Sequence, residues 1–413
     1  MESLGSRIRT IRKQKKLTLA TLAGEHITKG MLSLIENDKA NPSMDTLQYL
    51  AERLQVDVSS LLEEVPITEL RELSEKVKKI YDNNVEFEKA PYQEIITLIE
   101  PYLEKLPACY ESGKLLFYYT GAQSHLKMNN WEPTLERGLK MFKEINMMNE
   151  WVRFQILHFS IYFYEHQYEQ ALNIAIATEA EVKREHYIID TITTLDLLYI
   201  IGISYLAINE QKKGMNYIEQ ALQLSKEKRL FYKIEDIFRV ACFQAMIDND
   251  DAAREYYIKK IEQYAAFTED KLSFLYTIII QLHYYNSFTH DYEKALEYLG
   301  HDREIEDTNE DLALFYCFEK GKTLYHLGQF DEALVTFEKL KEIPNSIHHP
   351  YDLSMLAEKY SYKSLCYEQK GQLSKALEEA KKAVDIVDPL IDTPYKQFIN
   401  KTYASLCKKV DQL

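Results

Sequence analysis

The chain has 413 residues, 46% hydrophobic and 28% charged, which supplies apolar side chains for a large core and excludes a disordered polymer. Only 12 glycines and 10 prolines interrupt it, a balance that favours helices, and the length points to two or three domains. The formal net charge is −15, yet residues 1–65 hold nine basic and nine acidic side chains, so the rest of the chain carries the whole excess. An acidic body repels nucleic acid, which leaves phosphate contact to the head, where Arg7, Arg9, Arg12, Lys13, Lys15 and Lys16 face one early acid, Glu2.

In chain order, Leu4, Ile8 and Ile11 recur at helical spacing and predict a first helix over Leu4–Gln14. Thr18 caps a short second helix, Leu19–Ala23, and Gly24 suits the turn that ends it. Thr28 caps a third, Lys29–Glu36, with Leu32 and Ile35 inward; Asn37–Pro42 reads as a loop, and Ser43 caps a fourth helix, Met44–Leu54. Val58–Leu62 closes the unit. Short helices with a tight turn between the second and third follow the helix-turn-helix plan.

The strings Leu4-Gly5-x-Arg7-Ile8-Arg9-x-x-Arg12, Leu17-Thr18-x-x-x-Leu22-Ala23, Ile35-Glu36-Asn37 and Asn41-Pro42-Ser43-x-x-x-Leu47 resemble the phage-repressor (Cro/CI) family over the whole head. That resemblance implies a third helix lying in the major groove, with Lys29, Gly30, Met31, Ser33 and Leu34 facing bases. It further implies phosphate contacts from the first helix and from the loop bearing Lys39 and Asn41, so Arg7, Thr18, Thr28, Lys39 and Asn41 complete the expected DNA-facing set. Two positions depart from the family: Leu19 stands where Gln usually opens the second helix, and Met31 and Leu34 make the third unusually apolar. Apolar groups read thymine methyls but make no bidentate hydrogen bonds, so specificity is expected to lean on A·T-rich shape, or affinity on dimerisation.

Glu63-Glu64-Val65-Pro66 marks the expected boundary, giving a head at 1–65, a connector helix within 66–84 and a repeat body at 85–413. The body's clearest unit is Gly321-x-x-Leu324-x-x-x-Gly328-x-Phe330-x-x-Ala333-x-x-x-Phe337, echoed around Tyr367, Gly371, Ala376, Ala380 and Ala383, and around Gly202, Tyr205, Gly214, Ile218 and Ala221. These match the tetratricopeptide pattern. Aligned small residues at 95, 134, 171, 214, 253, 295, 333 and 376 give eight copies spaced 37 to 43 residues apart, longer than the usual ~34. A capping helix is expected over Pro394–Lys409. The predicted fold is therefore all-α: a phage-repressor-type helix-turn-helix domain and a right-handed tetratricopeptide superhelix with a concave inner face.

By repeat register the inner face includes Gln123, Arg153, Tyr199, Arg239, Tyr284, Asn286, Phe288, Glu319, Lys322, Tyr325 and Tyr362. Asn pairs with peptide backbone and Arg or Lys with carboxylate, so these residues are the candidate peptide contacts. Asn286 stands out because it interrupts an apolar stretch, Phe274–Phe288, where an amide needs a partner; its plainer reading is a bond to a neighbouring helix. On the sequence alone, Asn286→Ala is expected to weaken peptide response and leave peptide-free folding intact.

Head and body together resemble the RNPP family of peptide-sensing regulators of Gram-positive bacteria, and the body length looks most like its NprR type. That resemblance implies a short signalling peptide in the groove, coupled to oligomeric state and to affinity for a double-stranded operator. It also implies an alternative role, binding a sporulation phosphorelay response regulator when peptide is absent. No nucleotide, zinc-protease or hydrolase motif is present, so neither catalysis nor a cofactor is expected. His348-His349-Pro350 reads as a solvated loop rather than a metal site, and Glu378-Glu379 as a solvated helix face. Cys109, Cys242, Cys317, Cys366 and Cys407 are widely spaced and read as reduced thiols. With no membrane-length apolar run and no leader-like start, a cytoplasmic location and no membrane partner are expected.

Overall fold

The computed structural model describes residues 3–62, 65–84, 89–301, 305, 310–340, 342–344 and 346–410. Glu63 and Glu64 at the expected boundary, and 85–88 at the expected start of the body, lie outside the described residues. Every described element is helical. The chain forms two compact units, Met1–Leu157 and His158–Leu413.

The first unit begins with α1 (Leu4–Gln14), α2 (Leu19–Ala23), α3 (Lys29–Glu36), α4 (Met44–Leu54) and α5 (Val58–Leu62), at the bounds the sequence predicts. Ser3, Thr18, Thr28 and Ser43 cap the first four through side-chain oxygens that accept the N–H three residues on. Ile8, Leu22, Leu32, Ile35, Leu47, Leu50 and Leu54 form the core they enclose. At Gly5 an added Cβ would lie 2.0 Å from the Ile35 carbonyl oxygen, so glycine is what lets α1 and α3 approach.

The span expected as a connector is α6 (Ile67–Asn83), which packs against α7 (Lys89–Ile99) and α8 (Tyr110–His125) through Leu70 and Val77, the place of a first helix in a pair. Next come α9 (Glu132–Glu144) and α10 (Met148–Tyr164), where the unit boundary falls.

The second unit continues with α11 (Tyr168–Arg184), α12 (Thr191–Ala207), α13 (Gln211–Lys228), α14 (Ile234–Ile247), α15 (Asp251–Thr268), α16 (Lys271–Tyr284) and α17 (Tyr292–Glu297). It ends with α18 (Glu310–His326), α19 (Phe330–Glu338), α20 (Pro350–Gln369), α21 (Leu373–Val387) and the terminal α22 (Pro394–Val410). Each of the eight aligned small-residue positions falls on a different second helix: α7, α9, α11, α13, α15, α17, α19 and α21. The tetratricopeptide logic is visible at Gly202 and Gly214, where a Cβ on Gly214 would sit 2.9 Å from the Gly202 carbonyl oxygen. Backbone there meets backbone across α12 and α13, as the small-residue pattern requires.

Two surface expectations are corrected. The His348–His349 segment is not a solvated loop: the Tyr168 hydroxyl donates to the His348 carbonyl at 2.7 Å, and the His348 ring stacks on Tyr164 at 4.2 Å. His349 Nε2 lies 3.3 Å from the Ile203 carbonyl oxygen, and the Tyr351 hydroxyl donates to Asn209 Oδ1 at 3.1 Å. The segment before α20 thus docks on α10, α11 and α12, and Tyr351 in the first turn of α20 holds the turn after α12. Glu379 is likewise not solvated: it is 9% exposed and paired with Lys363 at 3.2 Å and Lys382 at 2.9 Å, whereas Glu378 does face solvent.

Candidate functional site

In the head, the caps at Thr18 and Thr28 start α2 and α3 on either side of a turn containing Gly24, whose positive φ of 53° permits the tight reversal. Leu32, Ile35 and Glu36 turn α3 inward, which leaves Lys29, Gly30, Met31 and Leu34 exposed and Ser33 half-buried. Met31 and Leu34 keep 47% and 46% of their surface open. Lys39 and Asn41 are exposed in the loop beyond. Leu19, the departure from the repressor pattern, packs against the head core.

Polar groups expected to meet DNA are partly committed elsewhere. Arg7 donates from Nε to the Leu61 carbonyl at 3.0 Å and from Nη2 to the Leu62 carbonyl at 2.9 Å, fastening α5 to α1. Thr18 and Thr28 accept the Thr21 and Met31 N–H groups as caps. A pairing not read from the sequence lies beneath: Arg12 donates from Nε and Nη2 to the two Glu36 carboxylate oxygens at 2.6 and 2.7 Å, and from Nη1 to the Leu17 carbonyl. The Glu36 hydrogen bond raises the Arg12 pKa against the opposing effect of burial.

The candidate peptide residues divide by environment. In the first unit, Gln123 is buried and donates to the Asn130 side chain at 3.1 Å, while Arg153 pairs with Glu150 at 3.0 Å. In the second unit, Tyr284, Asn286, Glu319, Lys322 and Tyr362 are all buried, with Tyr325 half-buried against Tyr362. Asn286 sits in a π-helical turn, Tyr285–Thr289, that widens the end of α16. Its amide donates to the Glu319 carbonyl and Oε2, each at 2.9 Å, and its Oδ1 accepts from Thr323 at 3.0 Å. Lys322 Nζ donates to Glu358 Oε2 at 3.0 Å and to Ser287 Oγ at 2.7 Å.

His283 extends the network: Nδ1 lies 2.7 Å from Glu319 Oε1 and Nε2 lies 2.7 Å from the Tyr395 hydroxyl. A carboxylate only accepts, so the proton on that side belongs to Nδ1. Burial opposes ionisation of Glu319, but Lys322, His283 and Asn286 outweigh it and hold the pKa at about 2. Burial pushes Glu358 up, with Lys322 opposing. Sequence reading missed the roles of His283, Tyr395 and Glu358, although His283 interrupts an apolar helical run, the same signal that picked out Asn286.

A second group in this unit stays reachable by solvent. Arg239 pairs with Glu235 and Asp236 and stacks its guanidinium over Tyr276 at 4.3 Å; 28% of its side chain remains open. Tyr199, held by Lys233 over its ring at 5.0 Å, feels the charges of Asp236, Arg239 and Asp352. Asp352, half-buried in the first turn of α20, accepts no hydrogen bond among the described residues. Burial raises its pKa, with His349 and Arg239 opposing. Among the described residues no cluster of His, Cys, Asp and Glu is placed to hold a metal, and no helix is long and apolar enough to cross a membrane.

The head is thus a helix-turn-helix domain, and residues 8–61 match the family model described as Helix-turn-helix. Over 63 residues the chain is 40% identical to the immunity repressor protein of Bacillus phage phi105, a match spanning 15% of this chain and 44% of that repressor. Between 65% and 72% of the chain is also similar to solved structures at low identity. Bacillus thuringiensis PlcR in complex with the peptide PapR7 and DNA is 17% identical, covering 65% of this chain and 99% of that one with a TM-score of 0.31. The competence regulator ComR from Streptococcus vestibularis with its signaling peptide XIP is 18% identical, covering 68% and 98% with a TM-score of 0.36. The PrgX/cCF10 complex is 16% identical, covering 72% and 99% with a TM-score of 0.31.

Proposed function

We propose that this protein is a DNA-binding transcriptional regulator whose helix-pair array binds a short peptide and thereby changes oligomeric state and operator affinity. The observation that carries the reading is the exposed α3 of a head matching the helix-turn-helix model, in one chain with tandem helix pairs. Lys29, Gly30, Met31, Ser33 and Leu34 face the major groove, with Lys39, Asn41 and the first-helix cations toward phosphates. In the array, Tyr199 and Arg239 are the peptide contacts that solvent reaches, joined by half-buried Asp352, whose carboxylate accepts no hydrogen bond among the described residues and suits an ammonium or amide N–H of the ligand. The Asn286–Glu319–Lys322 network ties α16, α18 and α20 together.

Peptide binding acts by population shift, favouring one arrangement of the array among those it samples. Two heads must meet half-sites about one DNA turn apart, so a change in the dimer changes operator affinity. The test is gel retardation of A·T-rich operator fragments by full-length protein, with and without short peptides encoded beside the gene, run alongside a thermal-shift screen. A peptide that raises the melting temperature and alters retardation supports the reading. Absence of retardation on every fragment, with and without peptide, overturns it.

A further inference from the structure

The base-facing side of α3 centres on Met31 and Leu34, and the head's arginines lie on other helices, three of them already bound. Of the four arginines in residues 1–65, Arg7 is bound to the Leu61 and Leu62 carbonyls and Arg12 to Glu36. Arg53 donates to the Thr21 carbonyl and stacks over Tyr49 at 5.6 Å, and Arg9 lies on α1. Helix α3 itself, Lys-Gly-Met-Leu-Ser-Leu-Ile-Glu, carries no Arg, Asn or Gln. Its only acid, Glu36, is buried against Arg12, and Asn37 at its end donates its amide to the Ser33 carbonyl at 2.7 Å. The guanidinium fork that reads guanine bidentately, and the amides that read adenine, are therefore absent from this helix, whose one cation is Lys29 at its first turn. What it presents instead is Met31 and Leu34, three residues apart on one face and each nearly half exposed.

The one apolar group on the major-groove edge of a base pair is the thymine C5-methyl. We infer that Met31 and Leu34 are specificity-determining residues that read thymine methyls, so that the operator is recognised by methyl contact rather than by hydrogen bonds to guanine. The occupant is duplex DNA rather than protein because exposed Arg9, Lys13, Lys15, Lys16, Lys29 and Lys39 accompany this apolar pair in a chain otherwise carrying net −15. The inference rests on the regulator reading above and is separable from it.

The experiment selects duplexes from a randomised pool with full-length protein, then replaces thymines of the selected site one at a time with uracil, which lacks only the methyl. The expected result is a site with A·T pairs opposite α3 and a loss of about fourfold in affinity per critical methyl removed. Met31→Ala and Leu34→Ala, both at half-exposed positions, should keep the wild-type melting temperature and retain salt-sensitive binding, yet no longer distinguish thymine from uracil. A selected site that depends on guanine, or uracil duplexes bound as tightly as thymine ones, overturns methyl reading while leaving the regulator intact. Retention of no duplex from the pool, with Met31 and Leu34 protected by a second copy of the chain, overturns both.

Discussion

Arg12 grips Glu36 with two parallel hydrogen bonds of 2.6 and 2.7 Å inside the head, with only 9% and 5% of the two residues exposed. The pair ties the end of α1 to the last turn of α3, so the exposed face of α3 is aimed by a contact beneath it. A two-pronged geometry needs the planar guanidinium, which an ammonium cannot supply. Glu36→Ala leaves that guanidinium buried without its carboxylate and is expected to cost the head about 3–5 kcal/mol. The check is urea unfolding of the full chain together with gel retardation: both should fail in the variant. Arg12→Met with Glu36→Leu should recover most of the stability, since an apolar pair of similar volume often matches a buried ion pair.

Asn286→Ala, expected from the sequence to spare the peptide-free fold, is expected from the structure to weaken it. The substitution removes two donations to Glu319 and the acceptor used by Thr323, all at buried atoms. Hydrogen bonds to a buried carboxylate are worth about 1.5–3 kcal/mol each, so a stability loss of that order is the expected reading in a peptide-free melt. An unchanged melt would show that the π-helical turn relaxes around the missing amide.

Asp352→Asn should separate stability from ligand response. Burial raises the folded-state pKa of this carboxylate above its unfolded value, so its favourable contribution holds at low pH and is lost as pH rises through the folded pKa. At neutral pH the amide is thus expected to raise the melting temperature without peptide and to shrink the peptide-induced rise. A lower melting temperature would mean instead that the charge is needed at the start of α20, where the helix dipole favours it.

Acid should loosen the second unit through its buried histidines before Glu319 takes up a proton. Burial lowers His166 and His349, and burial with Lys322 lowers His326 to about 4, from an ordinary value of 6.5. A depressed histidine contributes stability above its unfolded pKa that is lost as pH falls through the folded one, so the window runs from 6.5 down to about 4. Glu319, held at about 2, begins to lose its contribution only near 4.5, at the acid end of that window, and loses the rest below it. Melting temperature measured from pH 8 to pH 4 should fall steadily, and His326→Gln should flatten part of the fall.

What the sequence by itself determined is local. Helix bounds in the head, the caps at Thr18, Thr28 and Ser43, the exposed face of α3 and the spacing of eight second helices all follow from 3.6-residue periodicity and from capping chemistry, which operate within a few residues of each position; the Ser3 cap emerges only from the structure. The same reasoning marked Asn286, because an amide in an apolar helix must find a partner. Which partner it finds is decided by tertiary structure: Glu319 and Thr323 lie on a helix that packing alone brings beside it. So too for Arg12 with Glu36, and for Tyr168 with His348, residues 180 positions apart. These contacts depend on how whole helices pack against one another, which no local period encodes. They turned expected groove residues into a buried network and left Tyr199, Arg239 and Asp352 as the polar groups open to a ligand.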